Sequence, residues 1–384
     1  FQDRFNDPGN FVTRKNKFGW NTIFENEAGE MYLSGDGYYA DGRRPFLDKY
    51  NLKSGHKQRL FEVDDSFQQE DIIMVVDAEQ GKLITLIQDS YQYPNFFLRN
   101  LKDQKLKAVT QYKNPFEALA GVKQEVLQYK RADGTDLTAR LYLPNHTDEH
   151  QLLPLIMWAY PMEYKDKQTA GQNTASRHEF IYPFWGSPIY WVTRGYAVMD
   201  DVSFPVIGEG ESQPNDHFHE QMLANAAAAI EVAEKTGKID VTRIGIGGHS
   251  YGAFMVSYLL THTQFFAAGI ARSGAYNRTL TPFGFQSEER NLWQAKNVYA
   301  SMNPFLDADK MKSALLLIHG QEDNNSGTYT IQTERYYAAL KALGATVRMV
   351  LLPYESHSYQ AKESILHVLW EQDTWLEKYV KNKV

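Results

Sequence analysis

The sequence predicts an α/β fold, a mostly parallel sheet with helices on both faces, preceded by a smaller region of short strands. Three observations carry the prediction. Beyond about residue 120, apolar strand-like runs take turns with amphipathic helical stretches. Before it, short apolar runs are broken by turn dipeptides, with little helical periodicity. At the junction, EVLQYKRADGTDLTARLYLP (125–144) alternates on both sides of Asp133-Gly134, a strong hairpin signal.

In the first region, residues 1–118, the turn signals include Asp36-Gly37, Asp41-Gly42 and Ser54-Gly55. A weak repeat runs through it. GEMYLSG (29–35) followed by FLDKYNLKSGHKQRLF (46–61) resembles GKLITLIQ (81–88) followed by FFLRNLKDQKLKAV (96–109). The offset of about 50 residues is the size of a four-stranded propeller blade. Two blades cannot close a ring that typically needs about 4–8. The region is therefore read as a partial β-propeller, the last blades of a longer one; an unrelated β-rich lead-in domain is the alternative.

The second region, residues 119–384, supplies the sheet. After the hairpin, LPLIMWAY (153–160), YAVMDDV (196–202), TRIGIGG (242–248), FAAGIA (266–271), SALLLIH (313–319) and VRMVLLP (347–353) read as strands. HFHEQMLANAAAAIEVAEKTG (217–237), YGAFMVSYLLTHT (251–263), YTIQTERYYAALKALG (329–344) and KESILHVLWEQDTWLEKYV (362–380) read as helices. In such sheets, chemistry gathers in the loops that leave the carboxyl ends of the strands.

Composition narrows the function. With 43% hydrophobic and 23% charged residues, the 384-residue chain is of the globular, soluble kind. A net charge of −7 argues against nucleic acid or an anionic membrane as partner. The longest apolar run, LLPLIMWAY (152–160), carries Pro154 and is far too short for a membrane span. The absence of cysteine removes disulfides, thiolate metal sites and a cysteine nucleophile. The chain opens on Phe1 without a signal-like segment, which reads as a fragment or a processed product. An exported or periplasmic location is favoured over the cytoplasm. No cofactor is expected.

Gly248-His249-Ser250-Tyr251-Gly252 fits G-x-S-x-G, with an apolar strand before it and a helix after it. That is the context of a nucleophile elbow, a sharp turn that holds a serine above the sheet of an α/β-hydrolase. Such a serine needs a base, and the base an orienting acid, in the chain order Ser, Asp or Glu, His. Asp323 follows the strand SALLLIH, with Glu322 as its competitor, and His357 follows VRMVLLP. His249 is expected to pack inside the elbow and His319 to line the core. His217-x-His219 lacks a third ligand at metal-site spacing. The backbone N–H of Tyr251 and the Tyr160 phenol are the candidate oxyanion donors, with a plain aromatic lid as the alternative for Tyr160.

GGHSYGAFM (247–255), GIARSGAYNRTLTPFGFQSEER (269–290), LLLIHGQEDNNSGT (315–328) and ESILHVLW (363–370) resemble the glutamyl endopeptidase branch of the prolyl oligopeptidase family of serine peptidases. The resemblance implies a serine peptidase that cuts peptides after glutamate, with Ser250 as nucleophile, Asp323 as acid, His357 as base and Tyr160 in the oxyanion hole. It also implies that Asn325 binds the substrate carbonyl preceding the cleaved residue. Ser358 and Met162 depart from the family pattern, which has glycine and arginine there. A buried substrate carboxylate must meet a cation, best a bidentate guanidinium. Arg272, Arg278 and Arg290 follow the strand next to the elbow, and Arg278 is the first choice because relatives of other specificity place pocket-lining aromatics near it; the alternative is that these arginines pair with Glu288, Glu289 or Asp201 as structural bridges. Two readings stay open beside the peptidase: an acylaminoacyl peptidase or esterase with the same triad, and an inactive propeller–hydrolase interaction module.

Overall fold

The computed structural model describes residues 2–64, 68–145 and 151–382. Turn residues cut the first part into short strands that pair with their neighbours in sequence. Asn10–Phe11, Glu30–Gly35, Phe46–Asn51 and Lys57–Glu62 form one antiparallel four-stranded sheet in that order. Gln69–Asp77, Lys82–Gln88, Asn95–Asn100 and Lys105–Ala108 form a second. The two repeated sequence segments occupy the same last three positions of their respective sheets. Tyr32 and Leu47 from the first sheet share a buried cluster with Leu83 from the second and Ala78 in the turn before it.

The chain separates into two compact units, Phe1–Gly121 with Gln172–Tyr182, and Val122–Gly171 with Pro183–Val384. The return of residues 172–182 to the first unit crosses the boundary expected from composition. It is fixed by contacts distant in sequence. The Arg4 N–H donates to the Gln172 side chain at 2.7 Å, and the Phe180 ring sits edge-on to Tyr93 at 5.3 Å.

The second unit is built on eight strands: β1 (Lys123–Lys130), β2 (Asp136–Leu143), β3 (Leu153–Tyr164), β4 (Ala197–Ile207), β5 (Ile239–His249), β6 (Ala268–Arg272), β7 (Ala314–Gly320) and β8 (Val347–Leu352). Their order is β1-β2-β4-β3-β5-β6-β7-β8. The β1–β2 and β2–β4 pairs are antiparallel and all the others parallel. Four longer helices accompany them: α1 (Phe218–Lys235), α2 (Tyr251–His262), α3 (Ile331–Ala342) and α4 (Lys362–Leu376).

Side-chain size explains how the layers meet. Small residues at Ala226, Ala229 and Ala233, all buried, let α1 lie close to the sheet. Helix α2 is apolar all round and buried from Tyr251 through Thr261, as a helix without a polar face must be. Ile244 and Ile246 of β5 join the core shared with α1, α2 and α3. Gly245, pointing the other way, faces Leu376 at the end of α4 and Val380 beyond it. Strand β4 runs past its expected end through a bulge, where Asp201 has φ +49° and the pairing with β3 slips. Among the described residues, no helix is long and apolar enough to cross a membrane.

Candidate active site

Ser250 sits between β5 and α2 with φ +59° and ψ −117°, a conformation that L-residues adopt only under constraint. The constraint comes from close approach. A Cβ on Gly252 would lie 2.6 Å from the Ala159 carbonyl oxygen of β3. One on Gly248 would lie 2.5 Å from the Gly252 carbonyl oxygen. Only glycines let strand and helix meet here, and the Ser250 N–H is pinned to the Arg272 carbonyl of β6 at 2.8 Å.

Asp323 and His357 leave the carboxyl ends of β7 and β8. Their loops are interlocked: Gly320, at the end of β7, faces the carbonyls of Glu355 and Ser356 at distances that no side chain tolerates. The Glu322 N–H donates to the Glu355 carbonyl at 2.9 Å. Glu355 is buried, and its carboxylate accepts the N–H groups of Gln360 and Ala361, each at 2.9 Å, just before α4 begins. The histidine loop is thus tied to β7 on one side and to α4 on the other.

These loops bring Ser250, His357 and Asp323 together. His357 Nδ1 lies 2.8 Å from Asp323 Oδ2, and Nε2 lies 3.0 Å from Ser250 Oγ. Because the carboxylate only accepts, Nδ1 carries the ring proton and Nε2 presents its lone pair to the hydroxyl. Asp323 Oδ1 accepts the Asn325 N–H at 3.0 Å, and the Thr328 hydroxyl donates to the same carboxylate. Burial works against the charge of Asp323, but the bonds from His319, His357 and Asn325 outweigh it and hold the carboxyl well below the usual range. The competitor Glu322 is exposed.

Around the serine the structure adds detail. The Tyr251 N–H opens α2, where the first N–H groups have no intrahelical acceptor. The Tyr160 ring meets Tyr251 edge-on at 6.0 Å, and burial raises its phenol pKa against the pull of the Gln286 and Ser250 side chains. Tyr160 is 43% exposed, so its phenol is open to a substrate. The Tyr251 hydroxyl donates to buried Glu163 at 2.8 Å, and Glu163 also accepts the N–H of Ser287 at 2.9 Å and its hydroxyl. Glu163, which ties the elbow to the loop carrying Gln286, gave no signal in the sequence, lying three residues past the expected end of its strand.

The three arginines part ways. Arg278 is buried, its guanidinium 3.9 Å from the Phe254 ring centre and 4.1 Å from that of Phe285. Its Nε and Nη2 have no hydrogen-bond partner among the described residues. Burial pushes its pKa down to about 10, against the pull of Tyr251 and Glu163. Arg272 instead stacks on Trp158 at 4.4 Å and donates to the carbonyls of Trp185 and Gly186. Arg290 is bidentate to Glu288, at 2.7 and 2.8 Å, and also pairs with Asp216 at 2.8 Å. Arg290, expected beside Arg278 as a substrate ligand, spends its donors on the fold; Arg272 spends both Nη groups on carbonyls, while its Nε has no hydrogen-bond partner among the described residues.

The remaining candidates fall into place around this site. Asn325 is exposed, with its Oδ1 taken by the Gly327 N–H at 3.2 Å. His249 packs on His357 with ring centres 4.8 Å apart, and burial followed by the charge of Arg272 holds it near pKa 3, so it stays neutral. His217 meets Glu220, and His219 meets the Tyr258 hydroxyl. His319 lies in the core as expected, but it also bonds Asp323, at 3.0 Å.

A serine on an elbow, backed by a histidine and an aspartate from the next strand ends, defines an α/β hydrolase by fold and by site. Residues 215–383 match the prolyl oligopeptidase family, and the chain carries a domain of that family. Residues 133–282 also match the X-Pro dipeptidyl-peptidase (S15) family. The chain is 43% identical to a probable chloroplastic glutamyl endopeptidase of Arabidopsis thaliana, over 98% of this chain and 41% of that one. It is 42% identical to the corresponding protein of Oryza sativa subsp. japonica, over 98% of this chain and 42% of that one. The chain therefore spans less than half the length of these relatives. Among solved structures, dipeptidyl peptidase 4 of Porphyromonas gingivalis superimposes with a TM-score of 0.69 at 18% identity, over 92% of this chain and 48% of that one. The acylaminoacyl peptidase of Pyrococcus horikoshii gives 0.64 at 20% identity, over 92% and 55%. At such identities these two likenesses speak for the fold.

Proposed function

We propose that this protein is a serine peptidase that cleaves peptides on the carboxyl side of glutamate. The observation that carries the reading is the continuous chain of hydrogen-bonding contacts from Asp323 through His357 to Ser250 at the elbow. Ser250 Oγ attacks the scissile carbonyl while His357 Nε2 takes its proton. Asp323 holds the imidazole in the required tautomer and stabilises the imidazolium that forms. The tetrahedral oxyanion is met by the Tyr251 N–H and the Tyr160 hydroxyl. His357 then returns its proton to the departing amine, and water hydrolyses the acyl-enzyme by the same route.

Acidic specificity rests on Arg278. A buried guanidinium with Nε and Nη2 unpaired is costly to keep, and a substrate carboxylate supplies the missing acceptor. Phe254 and Phe285 hold the cation flat for bidentate contact. The relatives named glutamyl endopeptidases support the same choice. Asn325 has its amide N–H group to offer the carbonyl preceding the cleaved residue. We read the two four-stranded sheets of residues 1–118 as blades of a β-propeller, and residues 119–384 as the catalytic domain.

A fluorophosphonate probe tests the reading. Mass spectrometry is expected to find it on Ser250, and Ser250→Ala to lose both the label and about 10⁴–10⁶-fold of peptide turnover. A folded wild-type protein that stays unlabelled, or a Ser250→Ala variant as active as the parent, would reject it.

A further inference from the structure

Asp323 has more donors than a triad requires. We propose that His319 is a positioning residue of the active site, a second imidazole that fixes Asp323 Oδ2 and shares its charge with His357. The inference rests on the triad reading above and extends it.

The geometry assigns the protons. His319 Nε2 lies 3.0 Å from Asp323 Oδ2 and 2.7 Å from the Thr328 carbonyl oxygen. Both oxygens are acceptors, so Nε2 must be the protonated nitrogen. On the other side of the ring, Nδ1 lies 2.6 Å from the Thr333 hydroxyl, the partner that donates to it when the ring is neutral. The ring is fully buried and cannot trade these partners for water.

Oδ2 of Asp323 therefore receives two imidazole N–H groups, from His357 and from His319. With the Thr328 hydroxyl and the Asn325 N–H, four donors meet a carboxylate that has about four lone-pair sites. A carboxylate saturated in this way neither rotates nor takes the proton from His357 Nδ1. It also gives part of its charge to His319. Removing that donor leaves Asp323 a stronger acceptor for His357, which favours the imidazolium and moves the acid side of the rate profile to higher pH.

Other charged or titratable groups face this pair from every side. His249 lies against His357 from the elbow, with Arg272 beyond it on β6. Tyr359 comes from the histidine loop, and Tyr160 lies on β3 with its ring against Tyr251 of the elbow. His249 is held neutral, Arg272 stays charged, and burial raises both phenols, so none of them titrates between about pH 5 and 8.

Three variants separate a donor to Asp323 from a filler of the core. His319→Gln keeps an amide N–H where Nε2 stood. His319→Asn reaches Thr333 but not Asp323, and His319→Leu serves as a second deletion should the asparagine variant fail to fold. The readout is kcat/KM of a fluorogenic peptide from pH 5 to 9, on protein shown to be folded by its thermal melt. The expected result is an acid-side midpoint raised by about half a pH unit or more in His319→Asn or His319→Leu, with lowered kcat, and a near-parental midpoint in His319→Gln. A folded deletion variant with an unmoved midpoint, or a glutamine variant shifted as far as the deletions, would overturn the proposal. Labelling of Ser250 in the parent keeps either outcome apart from the triad reading, because an unlabelled parent rejects the triad itself.

Discussion

A guanidinium held between two aromatic rings keeps its charge and loses its water, and Arg278 is in that state beside Tyr251 and Glu163. Losing one partner of a buried charge pair costs about 2–5 kcal/mol, so Arg278→Gln is expected to lower kcat/KM for glutamate peptides by about 10²–10³-fold. Alanine at the cleaved position should suffer little, and a parallel fall for both peptides would exclude a specificity role. Tyr160→Phe removes one oxyanion donor and should lower kcat about 10²-fold at nearly constant KM, as steady-state kinetics would measure. The meeting of Ser250, His357 and Asp323 was legible in the sequence because an elbow pentapeptide, a strand-end aspartate and a strand-end histidine occur in a fixed order. The arginines were not separable there. Arg272, Arg278 and Arg290 share one segment, and only their partners distinguish them: carbonyls at 185 and 186 for the first, and Glu288 with Asp216 for the last. His319 reads as a core residue in sequence, because burial is visible in an apolar strand and a hydrogen bond to Asp323 is not.

Elements position these residues through contacts that glycine permits. The elbow glycines were readable, since the pentapeptide encodes both the close strand–helix approach and the turn. Gly320 was not, because its need arises where the loop after β8 crosses the end of β7. Gly320→Ala places a methyl group against the Glu355 and Ser356 carbonyls, just ahead of His357. Overpacking of this kind costs about 1–3 kcal/mol, and the cheapest relief is movement of the histidine loop. A fall in kcat larger than the loss of stability is therefore expected, read from kinetics and a thermal melt on the same sample. An unchanged kcat would show that the loop absorbs the methyl group without moving His357. Strand β4 was likewise only half readable: its pattern fades at Asp200-Asp201, yet a bulge carries pairing through to Ile207.

At the scale of the whole molecule, that bulge couples stability to pH. Burial, and then the charge of Asp201, push the Asp200 carboxyl up to about 7 from 3.8. Folding therefore takes up a proton, and this contribution to stability is full below about pH 4 and lost as pH rises through 7. Asp200→Asn, which keeps an acceptor for the Asp201 N–H, should raise the melting temperature more at pH 8 than at pH 5. An offset equal at both pH values would place the Asp200 charge outside the folding balance. The division into two kinds of sequence was legible as a change of periodicity near residue 120. The return of residues 172–182 to the first unit was not, since it depends on Gln172 and Phe180 meeting residues far away in the chain.

Glutamate-directed cleavage by Ser250 is tested most directly with a fluorogenic peptide series that differs only in the residue before the cleaved bond, run on the parent protein and on Ser250→Ala. Turnover after glutamate is expected to lie far above that after glutamine, alanine and proline, and to be abolished in the variant. Turnover after proline, alanine or large apolar residues with glutamate refused would be incompatible with the role of Arg278. Turnover that survives in Ser250→Ala would be incompatible with the triad.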